Sequence, residues 1–306
     1  MAVIEVENLS KSYGDVVALD GVSFSVEPGE IFGVLGPNGA GKTTAVECLA
    51  GLRTPGSGTV RVLGLDPQAD GPALREQVGV QLQESHLPDQ LTVAEALELY
   101  AAFYRDPLDW RSLLDRWGLA DKRKARFATL SGGQRQRLFI ALALVGNPKV
   151  VFLDELTTGL DPQARRATWQ LIRQVRAGGV TVVLVSHLMD EVEELCDRLV
   201  LLDHGRVVAA DTPAGLIERA GAPGRLRFRP LGELAGSIVD ELSALPGVRT
   251  VENGSREVTI SGTGDFAAAA TAALTRAGVL VADLRIDRQS LDDAYLALTG
   301  RPFETA

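Results

Sequence analysis

Cysteine is nearly missing from this 306-residue chain: Cys48 and Cys196 are its two, with neither a C-x-x-C pair nor a histidine cluster beside them. That excludes a disulfide framework and a structural zinc site, and leaves both thiols as small buried apolar residues. Long hydrophobic runs are missing as well. The longest unbroken apolar stretch, residues 138–145, has eight residues, whereas a helix needs roughly 18 to cross a bilayer. At the start of the chain there is no basic segment followed by an apolar one. Glu5 and Glu7 alternate with apolar residues instead, so no export signal is read and a cytosolic location is expected. An excess of positive charge is also lacking. With 31 basic against 40 acidic residues and a net charge of -9, the composition argues against a surface built to neutralise nucleic-acid phosphates. What the chain does have is 45% hydrophobic content over a length sufficient for two cores, so one medium and one small domain are expected.

Alternating apolar positions over residues 3–6, 16–19 and 22–26 predict short, half-buried antiparallel strands. Residues 31–35 are apolar throughout and run into a glycine-rich loop and then a helix over 43–52, which is a buried strand feeding a helix. Buried strands at 150–153 and 180–185 alternate with helices at 134–145 and 163–177, predicting a parallel sheet covered by helices. Residues 85–126 read as helical throughout, with Thr92 and Glu95 as a capping box, so a separate helical lobe is expected at about 85–135. Beyond Leu216, a linker is marked by Gly221, Pro223 and Gly224. The remainder reads as strand (226–228), helix (233–245), strand (248–251), strand (257–261), helix (266–277), strand (280–286) and a last helix (290–298). This βαββαβ order predicts a small α+β ferredoxin-like domain. The expected division is a nucleotide-binding domain over 1–215 and an accessory or regulatory domain over 222–306, the latter without residues of evident chemistry.

The chemistry is concentrated before residue 190. Gly36-Pro37-Asn38-Gly39-Ala40-Gly41-Lys42-Thr43, followed by Thr44, matches the phosphate-loop pattern G-x-x-x-x-G-K-[ST] in its strand, loop, helix setting. Glycines let the backbone curl around phosphates and turn its amides inward, at the positive end of the following helix. Lys42 then supplies a point charge at the β- and γ-phosphates and Thr43 a hydroxyl for Mg²⁺. Residues 150–153 lead into Asp154 and Glu155. A carboxylate at the position of Asp154 can hold Mg²⁺ through water, and one at Glu155 can orient or deprotonate an attacking water. Ser131, Gly132 and Gly133 precede a helix, where a hydroxyl and bare amides make a second phosphate-binding surface.

Leu130-Ser131-Gly132-Gly133-Gln134, about twenty residues ahead of the acidic pair, resembles the signature of ATP-binding-cassette (ABC) ATPases. The resemblance covers roughly residues 1–215 and implies a P-loop NTPase cassette: a parallel sheet core, an antiparallel β subdomain and a helical subdomain. It further implies an ATPase using Mg²⁺ with ATP, paired head to tail as a homodimer so that each signature closes over the nucleotide held by the other copy's loop. A separately encoded transmembrane permease is implied, with this subunit peripheral on the cytoplasmic face of the membrane. Smaller elements match too. Tyr13 resembles the aromatic that stacks on adenine, and Gln83, preferred over Gln81 because Glu84 follows it, resembles the glutamine reaching Mg²⁺ and the attacking water. Asp161, in Gly159-Leu160-Asp161, resembles the loop that communicates across the dimer, and His187 resembles the switch histidine at the γ-phosphate. One position departs: Leu156 stands where the family usually has proline, which predicts a less rigid turn at Glu155. The ending from Ser290 to Arg301 resembles ABC ATPases of the daunorubicin and multidrug-resistance type, implying export of a drug or lipid-like compound. The competing class is a soluble ABC ATPase acting on a ribosome or DNA complex. A single cassette, no sustained heptads and an acidic composition stand against it.

Overall fold

The computed structural model describes residues 1–303 apart from 84, 222, 233, 255, 256 and 288. The chain divides into two compact units, Met1–Pro213 and Ala214–Phe303. In the first unit, β1 (Ile4–Tyr13) and β2 (Val16–Val26) form an antiparallel hairpin. The two short strands expected at 16–19 and 22–26 are therefore one strand, interrupted only by register shifts opposite β1. After β3 (Ile31–Leu35) comes α1 (Lys42–Leu49), which stops short of the expected residue 52 because Gly51 turns the chain at φ 71°. β4 (Ser57–Val62), unread in the sequence, pairs with the free edge of β1 and completes a three-stranded antiparallel sheet.

The second sheet runs β5 (Val78–Gln81), β6 (Val150–Asp154), β7 (Thr181–Ser186), β3, β8 (Arg198–Asp203), β9 (Arg206–Asp211) across its width. All neighbouring pairs are parallel except β8 with β9. Every residue of β3, β6 and β7 is buried, as expected of strands covered on both faces. β5 carries Gly79 because α5 (Gly132–Leu144) passes so close that a Cβ there would lie 1.9 Å from the Ala143 carbonyl oxygen. Helices α6 (Pro162–Ala177) and α7 (Met189–Leu195) connect β6 to β7 and β7 to β8.

Residues 85–126 are not helical throughout. α3 (Val93–Ala101) and α4 (Trp110–Arg116) are separate short helices followed by 3₁₀ turns at Ala120–Lys122 and Phe127–Thr129. Two prolines account for the interruption. Pro88 lies in the turn before the Thr92 cap, and Pro107 lies between the helices, just before the Asp109 cap of α4. The Thr92–Glu95 capping box is present as expected.

The second unit opens with α8 (Pro213–Ala220), whose first residue closes the first unit. Gly224, expected in a linker, instead begins β10 (Gly224–Pro230). The sheet order is β11 (Val248–Asn253), β12 (Val258–Gly262), β10, β13 (Val281–Asp287), all antiparallel. With α9 (Gly236–Ser243) and α10 (Phe266–Arg276) as the crossovers, this is the ferredoxin-like arrangement. Leu226, Phe228, Leu242, Val258, Ile260 and Leu274 form its core. The helix expected from 233 starts at Gly236, and Glu233 itself lies outside the described residues. α11 (Leu291–Thr299) is capped by a Ser290–Asp293 box and by Gly300 in the left-handed region. It buries Leu291 and Tyr295 but leaves Leu298 exposed. Among the described residues no helix is long and apolar enough to cross a membrane.

Candidate functional site

Strand register assembles the site. Leu35 at the end of β3 is level with Ser186 at the end of β7, and Asp154 at the end of β6 is level with Val185. The three segments leaving these strand ends, at Gly36, Glu155 and His187, therefore emerge side by side at the carboxyl edge of the parallel sheet, the usual position for ligands in such folds.

The glycines of the loop are required by space as well as by torsion. A Cβ at Gly36 would sit 2.3 Å from the Leu202 carbonyl oxygen, and one at Gly41, where φ is 97°, 2.3 Å from that of Ala18. Ala40 N donates to the Pro37 carbonyl and closes the turn containing Asn38 and Gly39. Lys42 is buried, and its ammonium curls back to donate to the carbonyls of Gly36 (2.8 Å) and Pro37 (3.0 Å). Desolvation lowers its pKa, opposed by the negative charges of Glu155 and Asp154.

Thr43 Oγ1 donates to Asp154 Oδ2 at 3.0 Å, while Asp154 Oδ1 is buried with no hydrogen-bond partner. Burial is the main cause that raises the Asp154 pKa to about 6. The Thr43 bond and the Lys42 charge oppose the rise, and the Glu155 charge adds to it. Glu155 is held from both sides: Gln83 Nε2 donates to Oε2 at 2.7 Å, and His187 Nδ1 lies 3.0 Å from Oε1. Its backbone is in the left-handed region, at φ 50°, and its N–H donates to the Val185 carbonyl. Gln81 points elsewhere, donating to the Leu82 and Asp154 carbonyls. Glu84, the basis for preferring Gln83, lies outside the described residues.

Of the expected site residues, Asn38, Gly39, Gly41, Lys42, Thr43, Thr44, Gln83 and Glu155 line one open cavity of 410 Å³, with Val16, Val17 and Ala18 as a wall, whereas Gly36, Pro37, Ala40, Asp154 and His187 are not in its lining. That wall was missed in the sequence, where its valines look like ordinary strand residues. In the structure Val16 is 66% and Val17 55% exposed. Tyr13 is not part of the lining. It stands half-exposed between Arg53 and Lys11, whose charged groups lie 5.2 and 5.5 Å from its ring centre.

The remaining expected site residues also lie outside the cavity, at helix starts. Ser131 caps α5: its hydroxyl accepts from Gln134 N, and the Gln134 side chain accepts from Ser131 N. Gly132 has open space where a Cβ would be, and Gly133 faces Leu160 and Ala164 at the beginning of α6. Asp161 caps α6, accepting from Gln163 N and Ala164 N at 2.9 Å each. The tip of α5 thus offers backbone amides and a bare glycine surface beside α6.

Comparison with known proteins identifies this arrangement. A family model described as ABC transporter matches residues 19–158, which span the loop, the signature and the acidic pair. The Nod factor export ATP-binding protein I of Paraburkholderia xenovorans is 39% identical over 311 residues, covering 99% of both chains. This chain belongs to the ABC transporter family. It is an ATP-binding subunit, and its enzymatic activity is ATP hydrolysis. Among solved structures, an ATP-binding subunit of an ABC transporter superposes with TM-score 0.65 at 31% identity, covering 72% of this chain and 93% of that one. A dimeric ATP-binding cassette in a post-hydrolysis state with ADP and Pi gives TM-score 0.62 at 28% identity, covering 68% and 98%.

Proposed function

We propose that the subunit powers export through a separately encoded membrane permease, with two copies closing head to tail on two molecules of ATP. The observation that carries the catalytic part is Glu155, held between Gln83 and His187 at the rim of the Lys42 loop. In this reading the amides of Gly36 to Thr44 bind phosphate oxygens. Lys42 exchanges its carbonyl partners for the β- and γ-phosphates, and Tyr13 stacks on adenine. The orphaned Asp154 oxygen beside the Thr43 hydroxyl fits a hard divalent cation, so Thr43, Asp154 and the carbonyl oxygen of Gln83 would hold Mg²⁺. The ion supplies charge neutralisation at the phosphates. Glu155 takes a proton from the attacking water and His187 steadies the γ-phosphate, giving ADP and phosphate. Ser131 to Gln134 contact the γ-phosphate bound by the other copy, and Asp161 lies at the pairing surface.

Export is supported by the name of the relatives and by the daunorubicin-type ending at Ser290 to Arg301, which points to a drug or lipid-like cargo. Such a subunit works on the cytoplasmic face of the membrane, bound to its permease. The test is purification with a co-expressed membrane partner, followed by ATPase assays with and without candidate amphiphiles. Stimulation of the wild type and its absence in Lys42→Ala, which also loses nucleotide affinity, is the expected result. Unchanged ATPase activity in Lys42→Ala would remove the active site from this loop.

A further inference from the structure

A buried carboxyl outside the nucleotide cavity ties the catalytic segments together. Glu191, on α7, has no solvent exposure. Its Oε1 accepts from Thr157 Oγ1 at 2.7 Å and from Trp169 Nε1 at 3.1 Å, and its Oε2 accepts from Ser186 Oγ at 2.7 Å. Thr157 lies two residues beyond Glu155, Ser186 lies one residue before His187, and Trp169 belongs to α6. Thr157 and Ser186 are themselves fully enclosed, and Ser186 Oγ also accepts from Leu188 N. One side chain therefore fixes the two segments that bring Glu155 and His187 within 3.0 Å of each other.

The turn needs such a fastening. Glu155 adopts a left-handed backbone at φ 50°, a conformation that costs a side-chain-bearing residue roughly 1 kcal/mol or more unless its surroundings impose it. The following residue is Leu156, which has an N–H and an unrestricted φ where a proline would stiffen the turn. Leu156 is buried, and the next side chain, Thr157, is the one anchored on Glu191. A mismatch of about 1 Å between a base and its water is enough to cost roughly 100-fold in rate.

We propose that Glu191 is a positioning residue for hydrolysis, holding the Glu155 turn against the His187 segment without touching nucleotide. This rests on the roles given above to Glu155 and His187. The test measures kcat, KM, binding of a fluorescent ATP analogue and thermal melting on the full chain. Glu191→Gln keeps the size of the side chain but presents an amide to Ser186, whose oxygen already accepts from Leu188 N. The expected result is a kcat lowered about 10- to 100-fold with nucleotide affinity within about twofold and a cooperative melt. In a His187→Ala background the same change adds less than about a further twofold, because both act on one unit. Thr157→Val, which removes the anchoring hydroxyl, lowers kcat in the same way, whereas Thr157→Ser retains it; this pair decides the matter should Glu191→Gln not fold. A kcat within about twofold of wild type in both Glu191→Gln and Thr157→Val overturns the proposal, as does full additivity with His187→Ala. Glu155→Gln run alongside separates the two levels. If it is inactive while those variants are normal, only the positioning role falls; if it turns over normally, the assignment of Glu155 falls and the positioning role with it.

Discussion

Asp154 is the residue whose chemistry most depends on where the fold places it. In water it would ionise near 3.8, but burial raises its pKa to about 6. The folded chain therefore binds this proton more tightly than the unfolded chain. The stability it contributes is complete below about pH 4 and is lost as pH rises through about 6, a span worth about 3 kcal/mol. Urea unfolding of the nucleotide-free protein in EDTA is expected to show this decline, and Asp154→Asn to flatten it. An unchanged slope in Asp154→Asn would place the titration elsewhere. The candidate site was legible residue by residue in that Lys42, Thr43, Asp154 and Glu155 stand in sequence patterns suited to phosphate chemistry, and the structure brings these residues together. Glu191 was not legible. It sits among Asp190, Glu193 and Glu194, which are exposed, so its sequence context is that of a solvated helix face, and only the folded chain sets it apart.

Helix caps carry a double duty at the scale of single elements. The Ser131–Gln134 box opens α5 with the same hydrogen bonds that Thr92 and Glu95 use to open α3. Ser131→Ala and Thr92→Ala should each cost about 1 kcal/mol of stability, read by denaturant unfolding. Only Ser131→Ala should also depress ATPase activity, because the proposed contact with the other copy's nucleotide is made at that cap and not at Thr92. Equal ATPase losses would reduce Ser131 to a structural cap. The elements differed in how plainly the sequence announced them. β3, β6 and β7 were readable because strands covered on both faces are apolar throughout. β5 was not, having four residues of which one is the glycine that admits α5. The lobe of α3 and α4 was over-read: the Thr92 box announces a helix start, but Pro88 and Pro107 limit how far helix extends on either side.

At the scale of the whole molecule, the two proposed phosphate contacts lie on separate surfaces of the cassette. One is the cavity of Lys42, Thr43 and Glu155, and the other is the tip of α5, which lines none of that cavity. In the proposed dimer, pairing brings the nucleotide held by the other copy to this tip. The ferredoxin-like unit brings its own core and its own sheet. Under the proposed mechanism, closure is driven by charge-assisted contacts to the γ-phosphate, and the dimer is a state that ATP would create and hydrolysis dissolve. Glu155→Gln separates these steps, since the amide keeps the size of the side chain while removing the base. Light scattering of that variant in saturating Mg·ATP is the most direct test. The account predicts a mass of twice 32.6 kDa that returns to 32.6 kDa when nucleotide is removed; a variant that binds ATP and stays at the single-chain mass would contradict it.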